Sequence, residues 1–156
     1  MKPATVKQLK DELSTRSPKE LLELTLRLSK FKKENKELLT YLLFESHNEE
    51  GFILSVKQEM DEEFENVNRK TYYLMKKGIR KILKNVKKYA RYSLKKETEV
   101  ELLIYFCTKM KTLYPPIRRN VTLENMYYRQ IAMIRKKLPK LDEDLQYDYE
   151  MELDAL

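Results

Sequence analysis

Few side chains in this sequence could carry chemistry: one histidine, His47, one cysteine, Cys107, an acidic run Glu59-Met-Asp-Glu-Glu-Phe-Glu65, and a long stretch rich in lysine and arginine. His47 has no carboxylate three residues before it, so the Glu-x-x-His pair of di-iron bundles is missing. With no second histidine there is no zinc set either, and His47 reads as a residue at a helix end. Cys107 follows Phe106 and lies three residues after Ile104. A nucleophilic thiol needs a neighbouring base and an electropositive, accessible pocket, so Cys107 reads as a small core residue. Glu59 with Glu62 or Glu63 on one helix face could hold a hard cation, but solvated acidic runs on helices are common and no metal is assigned. General acid–base catalysis needs convergent titratable groups in a pocket. The expectation is a protein that is not an enzyme, with no catalytic residue and no cofactor.

Charge is the stronger lead. The formal net charge is +7, and residues 66–96 hold 12 basic and no acidic side chains. Advancing 100° per residue, Tyr72, Met75, Ile79, Ile82, Leu83, Val86, Tyr89, Ala90 and Leu94 gather on one arc, and Lys77, Arg80, Lys81, Lys84, Lys88, Arg91 and Lys95 lie opposite. These seven are the candidate binding residues. Their face would suit an acidic protein partner, or a nucleic-acid backbone read without sequence preference. No zinc ligands, RNP-type aromatic segment or Gly-x-x-Gly loop accompanies them. The acids at 59–65, or the run of seven between Asp142 and Asp154, could instead neutralise the stripe from within the chain.

The elements that must position this face are helical. Only 2 Gly and 5 Pro are present, too few for the turns of a sandwich or barrel or for a glycine-rich phosphate loop. Leu9 and Leu13 mark a helix near 5–14. Ser17-Pro-Lys-Glu20 reads as a capping box with proline at the first helical position, opening a helix through Leu21, Leu24, Leu28 and Phe31 to about residue 32. Further helices are expected near 34–46, ending at His47-Asn48 with Gly51 shortly after, then through Phe52, Val56, Met60, Phe64 and Val67, across 69–96, near 99–113 and, capped by Thr122, on to Pro139. Thr98 and Glu101 look like a second capping box. The segment 102–107 is apolar nearly all round, as a central helix would be. Together these predict an all-α fold of about seven helices in antiparallel hairpins, as a bundle or a short HEAT- or TPR-like superhelix. One domain spans 1–141, followed by an acidic tail at 142–156. Leu21, Leu24, Leu28, Leu42, Ile82, Val86, Leu103, Ile104, Cys107, Ile131 and Ile134 are the expected core.

The opening Thr5-Val-Lys-Gln-Leu-Lys-Asp-Glu-Leu13 with Lys19-Glu-Leu-Leu-Glu-Leu24 looks like the two helices of a SAP DNA-binding motif, but the glycine-containing linker is absent and the spacing is too short, so no function is carried over. The pattern Leu9-x-x-x-Leu13-Ser-x-x-Ser-Pro-Lys-Glu-Leu-Leu22, the basic helix Lys76–Lys88 and Glu99-Val-Glu-Leu-Leu-Ile-Tyr-Phe106 resemble a family of small all-helical bacterial proteins of unknown function. That resemblance implies a bacterial cytosolic protein and brings no site residue. A single cysteine, no apolar signal core in the first residues and a longest apolar run far short of the ~20 residues of a bilayer span agree with a cytoplasmic home.

Overall fold

A computed structural model describes residues 1–156 and is all-α. The helices are α1 (Val6–Ser14), α2 (Pro18–Phe31), α3 (Lys33–Thr40), α4 (Glu49–Glu65), α5 (Tyr72–Ser93), α6 (Lys96–Lys111), α7 (Val121–Lys137) and α8 (Glu143–Asp154). A π-helical turn occupies Tyr41–Glu45, and 3₁₀ turns occupy Ile117–Arg119 and Leu138–Lys140. The chain divides into two compact units, 1–44 and 45–156, so the structural boundary falls after Phe44 and not at the change of composition near residue 141. The acidic segment expected as a tail is helix α8 of the second unit.

In the first unit both early helices start on capping boxes. Thr5 accepts from the Gln8 N–H while the Gln8 side chain accepts from the Thr5 N–H; Ser17 and Glu20 do the same at α2, with Pro18 at the first helical position. Helix α2 packs along α3. Between α1 and α2 lies an open groove of about 920 Å³. Only Ser29 and Tyr41 are buried in this unit. Leu24, Leu28 and Leu42, expected in the core, are therefore exposed, and Leu21 is half-buried. Their helical spacing is apolar as read, but the helices are too few to cover it.

The second unit is a bundle closed around α6. Val100, Leu102, Leu103, Ile104, Phe106, Cys107 and Met110 are all buried, and only a strip through Glu97, Glu101, Tyr105 and Thr108 is left nearer solvent. Helices α4, α5, α7 and α8 all pack against it. Phe64 of α4 meets Phe106 with ring centroids 5.6 Å apart, while Met75, Ile79, Ile82, Val86 and Ala90 turn the apolar arc of α5 inward. Ile134 is buried as expected, but Ile131 is half-buried, and Leu94 is 84% exposed. Leu94 is the residue that ends α5, with φ of 60° in the left-handed region, and lies off the helical wheel that placed it inside. Polar ties join α4 to α6: Lys57 to Glu101 and Lys109 to Asp61, both at 2.7 Å.

Two caps differ from the expected ones. Thr98 lies inside α6, wholly buried, and its hydroxyl donates 2.6 Å to Glu49 and caps nothing. Asn120, and not Thr122, caps α7, accepting from the Leu123 N–H. Gly51, read as following a helix end, instead sits in the first turn of α4 beneath its cap Asn48, where a Cβ would come within 2.5 Å of the Asn48 side chain. If α6 is the hub, Leu103→Ala should lower unfolding free energy by about 2–5 kcal/mol. Leu54→Ala on the exposed side of α4 should change it by no more than about 0.5 kcal/mol. Urea titration of both variants checks this, and equal effects would contradict a core centred on α6.

Candidate interaction surface

The outer face of α5 follows from its inner one. Because the apolar arc is pinned against α4 and α6, every third or fourth residue between Lys77 and Arg91 must point away. At 1.5 Å per residue the row runs about 21 Å. Lys77, Arg80, Lys81, Lys84 and Arg91 are exposed. Lys77, Arg80, Lys84 and Arg91 form no ion pair or hydrogen bond through their side chains.

Two carboxylates from α4 approach one flank. Glu59 accepts from the Tyr89 hydroxyl and Glu63 from the Asn85 side-chain amide, each at 2.8 Å. Burial pushes the Glu63 carboxyl above its ordinary range and the charge of Glu59 adds to this, while the Asn85 hydrogen bond, Lys81 and Lys88 pull it down. Lys81 thus lies in the field of Glu63. Lys88 shares that field and also stands 4.8 Å over the Tyr89 ring. Lys95 is held elsewhere, its ammonium 3.4 Å from Glu49. Of the seven residues predicted from sequence, four stand unpaired, Lys81 is exposed beside Glu63, and Lys88 and Lys95 are engaged.

On the other flank Arg80, Leu83, Lys84, Lys87, Arg91 and Glu99 line a shallow concavity of about 500 Å³. The one carboxylate there is already matched, because Glu99 takes the Lys137 ammonium at 2.7 Å. Lys87, absent from the predicted set, belongs to this concavity, with its ammonium 3.8 Å from the Met133 sulfur of α7. Its wheel position at the margin of the basic arc was the available signal. The acids of α8 do not reach this surface. That helix packs on α6 through buried Tyr149 and Leu153, and its ion pair is Asp154 with Arg135 of α7 at 3.6 Å.

The other candidates lie apart. His47 is exposed just before α4. Cys107 is buried in α6, and burial pushes its thiol up to about 12, far from thiolate formation near neutrality. In the acidic run, Asp61 receives the Tyr105 hydroxyl at 2.9 Å as well as Lys109, and no three His, Cys, Asp or Glu side chains converge. No helix is long and apolar enough to cross a membrane. No protein-family model, curated protein or solved structure matches the chain.

Sequence reasoning missed Glu49, which fixes the end of the basic helix. Half-buried in the first turn of α4, it accepts from the Thr98 and Ser93 hydroxyls and pairs with Lys95, tying α4 to the corner between α5 and α6. Its truncation would leave the buried Thr98 hydroxyl unsatisfied. Glu49→Ala should therefore cost about 2–4 kcal/mol in urea unfolding, against little for exposed Glu62→Ala. A Glu49→Ala protein as stable as wild type would show that this cluster does not hold the corner.

Proposed function

We propose that residues 45–156 form a non-catalytic interaction module that takes an acidic protein segment along the outer row of α5, through Lys77, Arg80, Lys84, Lys87 and Arg91. The observation that carries this reading is the unpaired row itself: four cations without partners on one straight helix, while Glu59, Glu63 and Glu99 are spent on Tyr89, Asn85 and Lys137. The row is narrow. Glu59, Glu62 and Glu63 lie along one side and Glu99 along the other. A duplex laid across it would bring phosphates onto those carboxylates, whereas an extended or helical acidic segment fits a single row. Leu83 in the concavity and Tyr73, 72% exposed, offer apolar anchors. A lone buried thiol suits a reducing compartment, so the cytoplasm is the proposed location.

Fluorescence anisotropy of a labelled Glu/Asp-rich peptide, compared with labelled duplex DNA, single-stranded DNA and RNA at two salt concentrations, tests the reading. The peptide should bind wild type, and the Arg80→Glu/Lys84→Glu/Arg91→Glu variant should lose at least about tenfold in affinity, since close charge pairs at interfaces couple by about 1.5 kcal/mol or more. If nucleic acid binds more tightly, with a salt slope near −0.9 per phosphate contact, the partner is a polyanionic backbone instead. Equal binding by wild type and the charge-reversed variant would remove the α5 row from function altogether.

A further inference from the structure

The first unit carries a surface that the α5 reading does not use. Leu9 and Leu13 of α1 face Leu24, Leu28 and Phe31 of α2 across the open groove. Leu28 is 64% and Phe31 77% exposed. The rest of the unit shows the same excess, since Leu22, Leu26, Leu38, Leu42, Leu43 and Phe44 are all exposed as well. Five large apolar side chains gathered around one open groove mark the kind of patch that a partner covers. It also sits in a unit of only 44 residues, near the size of about 40 at which small folds usually need an added constraint such as oligomerisation.

The charges on the rim of the groove indicate what covers it. Glu23 and Arg27 both line it, and neither forms an ion pair within the chain. They lie two residues either side of Thr25. A two-fold axis passing α2 near Thr25 therefore sets Glu23 of each copy opposite Arg27 of the other. The parallel arrangement would set like charges together. An isologous interface requires self-complementarity of this kind, and Glu23 with Arg27 supplies it. We propose that the α1–α2 face docks against the same face of a second copy of this chain, with the two α2 helices antiparallel.

Sedimentation equilibrium on the full chain across the micromolar range, with circular dichroism to confirm that each variant keeps its helix content, tests the proposal. Wild type should be dimeric. Glu23→Arg and Arg27→Glu are solvent-facing changes that each convert two attractive pairs into repulsive ones, and each should weaken the dimer about tenfold or more. Mixing the two variants restores opposite charges at both sites and should return the dimer, now as a heterodimer. Leu24→Asp/Leu28→Asp should be monomeric with retained helicity in residues 45–156. A monomeric wild type, a dimer indifferent to Glu23→Arg and Arg27→Glu, or a failure of the mixed variants to associate would each overturn the proposal.

Discussion

Helix α6 is apolar nearly all round between Leu102 and Cys107, and the second unit is arranged by the need to bury that stretch. A helix with so narrow a polar strip cannot lie open on a surface, so neighbours must cover its other sides. Four helices do this, and each can give only one face to the task. For α5 the consequence is sharp: its inward arc of Met75, Ile79, Ile82, Val86 and Ala90 is fixed by α6 and α4, and the lysines and arginines on the other arc have no choice of direction. The basic row is thus the outer side of a core constraint. Its straightness over about 21 Å comes from the unbroken helix beneath it.

What distinguishes the two flanks of that row is where the carboxylates of neighbouring helices find their donors. Glu59 and Glu63 face α5 from α4, but they take neutral donors, Tyr89 and Asn85, and leave the cations beyond them without close partners. Glu99, Glu101 and Asp61 pair with lysines of α7, α4 and α6 that are themselves half-buried, where a pair is less screened than at the surface. These five acidic side chains are therefore spent on joining helices. An excess of positive charge remains on α5 because residues 66–96 contain no acid of their own.

Much of this was legible in the sequence where the signal is local. The Ser17-Pro-Lys-Glu20 cap, the two arcs of α5 and the all-apolar stretch of α6 each depend on residues within a few positions of one another, and each is found as read. The failures are long-range. Thr98 and Glu101 have capping-box spacing, yet tertiary partners 40 or more residues away, Glu49 and Lys57, claim both side chains. Leu24, Leu28 and Leu42 have the periodicity of core residues, which reveals that a face is apolar but not whether anything in the chain covers it. Lys88 and Lys95 fell in the candidate site because a helical wheel shows which way a side chain points and not which acid stands nearby.

The central claim is that the outer row of α5 is free to receive an acidic segment, and amide chemical-shift mapping of the isotopically labelled full chain during titration with a Glu/Asp-rich peptide measures it most directly. Shifts should cluster at Lys77, Arg80, Lys84, Lys87 and Arg91 and at residues lining the same concavity, Leu83 and Glu99, with α8 and the Glu49 corner unmoved. Saturating shifts centred on any other helix, or none at low salt, would contradict it.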